Sequence, residues 1–422
     1  MRKWAPLLFL LACTAWYLRE TVVLQVPGLN TSPSDFQWYH RAAHEILRGN
    51  SPYVSTGYIY PPLLALLLTP LGALDYVTAR WLWFGLSQAF LAAAAWLTWR
   101  ASGRDWAAAC WVALVWAVGG AAAESLGLGQ VGPLLTLALV VAYTQAGGSQ
   151  AAAVGLGSAV KFIPGVVGIA LALARRWRSL AAMLGSALAF LTIPWMAMVA
   201  FLSGPNLPAG TDTWNGTAAV LSWSVPSVVL RILDPPRRGI ALPLNWLANS
   251  LPDIHLTDAH RWVSLGVALA VFAAGVAALA VAARGKLSCR QVPWAMAALV
   301  ALGLAASPVC WTHYQVMQYP GMALLLAHAW RRGLWNTLAA ALACGACLYP
   351  LPVAILRGYY QRYGAWTAAS PATLYIWTSV TPLACLVLFW LFVRRIRAGW
   401  SISGEAPAAP GATAGRSDRA IP

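Results

Sequence analysis

The stretch RWVSLGVALAVFAAGVAALAVAARGK, residues 261–286, decides the fold. From Trp262 to Ala283 it carries no charged side chain, and it then closes on Arg284 and Lys286. A run of about 20 apolar residues matches the thickness of a bilayer core, where a helix satisfies its own backbone hydrogen bonds. The pattern recurs outward in both directions, near 4–24, 61–74, 79–99, 106–123, 131–145, 151–174, 179–203, 292–306, 314–330, 334–352 and 371–393. Of the 422 residues 60% are hydrophobic and only 9% charged, against about 25% charged in a soluble domain. Too little polar material remains for a water-facing surface. The chain is expected to be an all-α, polytopic membrane protein with about twelve crossings, and a soluble globular fold is excluded.

The net charge of +16 invites a nucleic-acid partner, but the basic residues form no single face. They punctuate the apolar runs: Arg100 and Arg104; Arg175, Arg176 and Arg178; Arg284, Lys286 and Arg290; Arg331 and Arg332; Arg394, Arg395 and Arg397. Cytoplasmic loops look like this under the positive-inside rule, so membrane lipids are the expected partners and nucleic acid is not. The seven cysteines fall mostly inside apolar runs and are read as structural, including the pair Cys344 and Cys347. Met1-Arg2-Lys3 followed by Trp4 to Leu18 resembles a signal peptide, but is expected to stay as the first membrane helix with a cytoplasmic N-terminus.

Two threadings each give twelve crossings. Taking 151–174 as one crossing leaves Arg100 and Arg104 outside. Breaking it at Lys161 to Pro164, with the short Pro-bearing 61–74 re-entrant, moves both arginines inside and is preferred. Both make loops 25–60, 204–260, 307–313 and 353–370 external. In the first loop Phe36, Tyr39, Ala43, Ile46 and Leu47 recur at helical spacing, which predicts an amphipathic helix lying in the interface, with Thr31 to Asp35 as its start. The 204–260 loop carries Trp214, Trp223 and Trp246, read as headgroup-depth anchors with substrate stacking as the alternative, and Asp212, Asp234, Asp253 and Asp258. Residues 1–399 form the membrane domain. The Gly/Ala/Pro-rich end, 400–422, is expected to be a disordered cytoplasmic tail.

Few residues here carry chemistry. Asp35 stands among Phe36, Trp38 and Tyr39 at the mouth of the first external loop. It is the sharpest candidate for a role, or else an ordinary carboxylate favoured by the helix dipole. Glu124 ends an apolar run close to Gly129-Gln130, and Lys161 lies within one. Ionisable groups at such depth tend to be functional. A lipid phosphate is a natural partner for Lys161, and an ion pair with Glu124 is the competing reading. His313, in Ser307-Pro308-Val309-Cys310-Trp311-Thr312-His313-Tyr314, is placed to donate to a phosphate, with a structural role as the competing reading. Neither an HExxH motif nor a DxD pair in the first external loop points to a metal, and no phosphate loop for ATP is present. No cofactor is expected.

Asp35-Phe36, Tyr39, Ala42-Ala43, Leu47, Gly49, Pro52-Tyr53 and Tyr58-Ile59-Tyr60-Pro61-Pro62-Leu63 resemble the opening signature of the polyprenyl-phosphate-mannose-dependent α-mannosyltransferases, glycosyltransferase family 87 of the GT-C superfamily. Gly129-Gln130, Lys161-x-x-Pro164 leading to Arg175-Arg176-Trp177, and Ser307-Pro308-x-x-Trp311-x-His313 follow in the family's order. One departure is Gly132, where the family often has Asn.

The resemblance implies a GT-C fold, an extracytoplasmic active site in the cell membrane, a polyprenyl-phosphate sugar donor and a lipid or glycan acceptor. It further implies a hexosyltransferase with Asp35 as catalytic base, and with His313, Lys161, Tyr60, Glu124 and Gln130 on the substrate side. Without an acidic pair, no metal requirement is expected. A transporter or lipid flippase is the rival class. It would favour inverted repeats and mid-membrane polar sites, whereas the distinctive residues here gather in external loops.

Overall fold

The computed structural model describes residues 4–30, 34–54, 57–145, 147–192, 222–233, 257–355 and 371–400. Its helices follow the apolar runs. The first half holds α1 (Ala5–Leu18), α2 (Phe36–Leu47), α3 (Pro62–Leu67), α4 (Thr69–Gly72), α5 (Tyr76–Ala101) and α6 (Trp106–Val118). Next come α7 (Ala121–Leu128), α8 (Gly132–Thr144), α9 (Gly148–Val160), α10 (Gly168–Leu173) and α11 (Trp177–Thr192). The remainder holds α12 (Val225–Leu233), α13 (Asp258–Ala282), α14 (Val292–Ala306), α15 (Tyr319–Arg331), α16 (Trp335–Leu348) and α17 (Pro371–Arg397). Among the described residues there is no strand, only one isolated antiparallel bridge between Ser222 and Trp311. The all-α membrane reading holds.

The long helices start on local signals. Asp75 caps α5 by accepting the Thr78 N–H at 3.0 Å, Asp105 caps α6 through Ala108 N–H at 2.6 Å, and Thr257 caps α13 through His260 N–H at 3.3 Å. Each satisfies a helix N–H that has no intrahelical partner. At about 1.5 Å per residue, the 26 residues of α5 reach about 39 Å, more than a bilayer core of about 30 Å.

Other runs break instead of crossing whole. α6 and α7 meet at 53° across Gly119-Gly120, where Gly120 has φ +67° and an added Cβ would lie 2.2 Å from the Tyr349 ring. The 151–174 run breaks at Lys161, as the preferred threading requires, and continues as a 3-10 turn (Ile163–Val167). The 61–74 segment forms two short helices, α3 and α4, neither long enough to cross. By length and composition, four described helices suit a membrane crossing: Ala5–Gly28, Tyr76–Ala101, Ala259–Ala282 and Ser379–Arg397. The bent α6–α7 pair makes a fifth. Among the described residues four further apolar helices are shorter, 10–17 residues long: Gly132–Thr144, Ile163–Leu173, Val292–Ala306 and Trp335–Leu348.

At the centre stands α14, buried on every side from Val292 to Ala305, as an all-apolar helix should be. Small residues allow close approach elsewhere: a Cβ on Gly155 of α9 would sit 1.9 Å from Ser186 Oγ of α11. The amphipathic helix is observed as α2, burying Phe36, Tyr39, Ala42 and Ala43, while Leu47 is exposed. Trp223 corrects its expectation as a headgroup anchor. It is fully buried, its main-chain N–H donates to Cys310 O at 2.7 Å, and its ring lies 6.5 Å from that of Tyr349. Trp214, Trp246, Asp212, Asp234 and Asp253 lie outside the described residues, as do residues 401–422. Trp400, assigned to the tail, belongs to the packed body: Trp294 Nε1 donates to its carbonyl at 3.1 Å.

That contact is part of a basic end. Arg331 donates to Ser102 O and lies 3.4 Å from Asp105 Oδ2, and the Arg332 guanidinium sits 4.3 Å over the Trp400 ring. Gln291 Nε2 donates to Ile396 O at 2.8 Å, and Leu287 N–H to Leu173 O at 3.1 Å. These contacts tie the loops bearing all five basic clusters to one end of the bundle. The threading that separates Arg100 and Arg104 from the others does not agree with this arrangement. The helices α5, α6, α14 and α15 run from this end towards Asp35, Glu124 and His313 at the other.

Candidate functional site

Asp35 sits at the N-terminus of α2 with helical backbone angles and makes no side-chain capping bond. The dipole-stabilised reading therefore lacks its usual contact, and the carboxylate turns elsewhere. Three anchors hold its loop. Buried Arg80 donates to Leu29 O at 2.6 Å and to Gly127 O at 3.3 Å, and Ser34 Oγ lies 3.1 Å from Tyr76 OH. Phe36 stacks on Trp83 at 6.0 Å, while Trp83 Nε1 donates to Gly129 O at 2.8 Å.

Gly129 makes the next step possible. It ends α7 in the left-handed conformation (φ +67°), and a Cβ there would lie 2.7 Å from Phe36 Cβ. Only glycine takes this turn against this neighbour without strain. The chain then points Gln130 at Asp35, and Gln130 Nε2 donates to Asp35 Oδ2. Gln130 Oε1 accepts from Tyr39 OH at 3.0 Å and from Tyr60 OH at 3.1 Å. At the break after α9, Lys161 Nζ donates to Tyr60 OH at 3.3 Å and lies 3.5 Å from the centre of the Tyr314 ring. No Lys161–Glu124 ion pair forms. The competing reading of Lys161 is corrected in favour of a tyrosine-lined seat, where the ring faces attract the cation.

Glu124 takes different partners. Thr312 Oγ1 donates to Glu124 Oε1, and His313 Nδ1 lies 3.9 Å from the same oxygen, too far for a hydrogen bond. Among the described residues, Glu124 Oε2 and both ring nitrogens of His313 have no hydrogen-bond partner, although His313 is only 4% exposed. Burial of that kind, with polar atoms unsatisfied, is expensive unless a further group completes it. His313 is presented by a 3-10 turn (Thr312–Gln318) behind the Ser222–Trp311 bridge, where Cys310 N–H also donates to Ser222 Oγ at 3.2 Å. Gly132 fits tightly here: a Cβ would meet Ser125 Oγ at 2.8 Å and Val316 Cγ1 at 2.9 Å. A larger residue at this position would need its neighbours to move.

Burial raises the Asp35 carboxyl above its ordinary value, against the pull of His313, the Gln130 hydrogen bond and Lys161, while Glu124 pushes the same way as burial. One half-buried carboxylate thus shares its surroundings with an imidazole, a lysine, an amide and a second carboxylate. All six sequence candidates come to this end: Asp35, Gln130, Tyr60 and Lys161 in one hydrogen-bonded chain, with Glu124 and His313 beside it. Tyr39, Tyr314, Thr312 and Arg80 were missed as site residues. Tyr39 looked like part of an apolar face, and Arg80 is hidden inside an apolar run.

Among the described residues, no group of three or more His, Cys, Asp and Glu is placed to hold a metal ion, and all seven cysteines are free. A cavity of about 550 Å³ opens between α1, α5 and α6, lined by Cys13, Tyr17, Gln88, Trp96, Trp99 and Trp116. None of the six candidates lines it.

The sequence profile of glycosyltransferase family 87 matches residues 58–308, more than half of the chain. The match contains Tyr60, Glu124, Gln130 and Lys161, and stops short of Asp35 and His313 on either side. No curated protein matches the chain. With the fold and the family in agreement, the transporter reading is set aside, and the chain belongs to glycosyltransferase family 87 as a membrane glycosyltransferase.

Proposed function

We propose that the protein transfers mannose from a polyprenyl-phosphate donor to a lipid or glycan acceptor, with inversion, at the extracytoplasmic face of the cell membrane. An acceptor hydroxyl attacks the anomeric carbon while Asp35 takes its proton. The bond from that carbon to the phosphate oxygen breaks, and polyprenyl phosphate leaves with the electron pair. A positioned base contributes about 10²–10⁴-fold to such a step. Charge builds on the leaving phosphate, and donors nearby stabilise it. The buried nitrogens of His313, unpartnered among the described residues, are suited to that task, and Lys161 packs on the same Tyr314 ring as His313.

The observation that carries this reading is the half-buried Asp35 carboxylate, held by Gln130 and within the electrostatic reach of His313 and Lys161. For the side of the membrane, support comes from the five basic clusters at the far end, since cytoplasmic loops concentrate Lys and Arg. The proposed chemistry asks for no divalent metal: the proton goes to Asp35 and the leaving phosphate is met by His313 and Lys161.

Membranes containing the protein, incubated with labelled prenyl-phosphate mannose and a total lipid extract, test the proposal. A new mannosylated product on mass analysis, insensitive to chelator, is the expected result. Consumption of prenyl-phosphate arabinofuranose and not mannose would overturn the sugar assignment, and a strict need for Mg²⁺ or Mn²⁺ the metal-free one.

A further inference from the structure

We propose that Lys161, Tyr60 and Gln130 form a one-way hydrogen-bond chain that holds Asp35 as a carboxylate, which makes Gln130 a positioning residue. The proposal rests on the reading of Asp35 as the base and assigns how that base is kept ready.

The direction of the chain follows from its donors. Lys161 Nζ donates at 3.3 Å, so the Tyr60 oxygen is the acceptor of Lys161. The single phenolic proton of Tyr60 is then free for Gln130 Oε1, 3.1 Å away. Tyr39 OH, at 3.0 Å, donates to the same oxygen. An amide oxygen has two lone pairs, and both are now filled. It retains no acceptor capacity for a sugar hydroxyl. With the oxygen fixed on the two phenols, the NH₂ of Gln130 faces Asp35 and donates to Oδ2.

Turning the amide over would set its oxygen against the carboxylate and its NH₂ against a Tyr60 oxygen already accepting from Lys161. Gln130, Tyr39 and Tyr60 are all buried, so water does not compete, and bonds in such a network strengthen one another. The consequence is chemical: a donor fixed on one carboxylate oxygen favours the charged form and leaves Oδ1 for the acceptor hydroxyl.

Groups on every side bear on Asp35. Tyr39 comes from α2, Tyr60 from the loop before α3, Glu124 from α7, Lys161 from the end of α9, and His313 and Tyr314 from the 3-10 turn. Two of these neighbours, Lys161 and Tyr60, belong to the chain, which reaches the carboxylate through Gln130.

The test is an infrared titration of the full-length protein in nanodiscs, which needs no substrate. The carboxylic-acid band that disappears in Asp35→Asn is followed against pH in the parent, Gln130→Leu and Tyr60→Phe. Loss of a donor to the charged form raises the midpoint, by about one pH unit or more in Gln130→Leu and by less in Tyr60→Phe. Unchanged midpoints in both variants would overturn the proposal. A shift in Gln130→Leu alone would overturn the chain through Tyr60. Should Gln130→Leu fail to fold, Tyr60→Phe, which keeps the ring, decides by the same criterion.

Transfer kinetics supply the second readout. A kcat reduced about tenfold or more with an unchanged donor KM is expected for Gln130→Leu, whereas a raised KM with an unmoved midpoint would make Gln130 a sugar contact. If Asp35→Asn keeps normal transfer, the base reading fails, while the titration still reports whether the chain acts on the carboxylate.

Discussion

Thr312 Oγ1 donates to Glu124 Oε1, joining residues 188 positions apart in sequence, and the contact sets His313 Nδ1 3.9 Å from the same carboxylate. Glu124 thereby fastens the turn that presents His313. The imidazole is expected to act on the leaving phosphate and Glu124 through the turn alone. His313→Ala should lower kcat by about 10²–10³-fold, the scale for losing one charge-stabilising donor. Glu124→Gln keeps an acceptor for Thr312 and should cost only a few-fold. Kinetics with donor and acceptor varied separately check this, and equal losses for the two variants would contradict it.

The pH dependence of transfer follows from Asp35. Burial raises its carboxyl above the ordinary 3.8, and a base works only when deprotonated. Activity should therefore fall on acidification in a range above that of a free carboxylate, with the limb absent in Asp35→Asn. Stability runs the opposite way. Below 3.8 the group is neutral both folded and unfolded, and as pH rises from there through the raised value, the folded state loses stability. Asp35→Asn should melt higher than the parent at neutral pH, and the gain should vanish at low pH. Melting curves across pH in detergent measure this.

Gly129→Ala should be damaging in two ways. A left-handed non-glycine residue costs about 1–3 kcal/mol, and the new methyl would lie 2.7 Å from Phe36 Cβ. Beyond a lower melting temperature, Gln130 should lose its aim at Asp35. The predicted outcome is transfer reduced by more than tenfold in protein that still folds at reduced temperature.

Orientation can be read chemically. Ile59 is exposed at the end of the bundle that holds Asp35, and Arg100 is exposed at the basic end. With Ile59→Cys and Arg100→Cys, a membrane-impermeant maleimide should label position 59 in intact cells and position 100 only after permeabilisation. The reverse pattern would put the site in the cytoplasm.

Hydropathy in the sequence exposed the membrane class, the first helix and the amphipathic α2, because these depend on local composition and helical spacing. The break at Lys161 was also legible, since a lysine and Pro164 interrupt an apolar run. Helix lengths were not: the 53° bend at Gly119-Gly120 depends on Tyr319 and Tyr349, which crowd both glycines from far along the chain. The site divides the same way. Asp35, Lys161 and His313 were suspicious as charged or polar groups in apolar surroundings. Tyr39 and Tyr60 bond to Gln130 across 91 and 70 positions, and no local pattern reports such pairings. Arg80 escaped because its partners, Leu29 O and Gly127 O, are main-chain atoms that any sequence would supply.

Transfer by Asp35→Asn, measured on the purified and reconstituted protein with labelled prenyl-phosphate mannose, tests the central claim most directly. The substitution keeps the shape and the contact with Gln130 while removing the base. Turnover about 10²–10⁴-fold below the parent, in a variant that folds and inserts normally, is the predicted result. Turnover within a few-fold of the parent would contradict it and remove the proton acceptor from the proposed reaction.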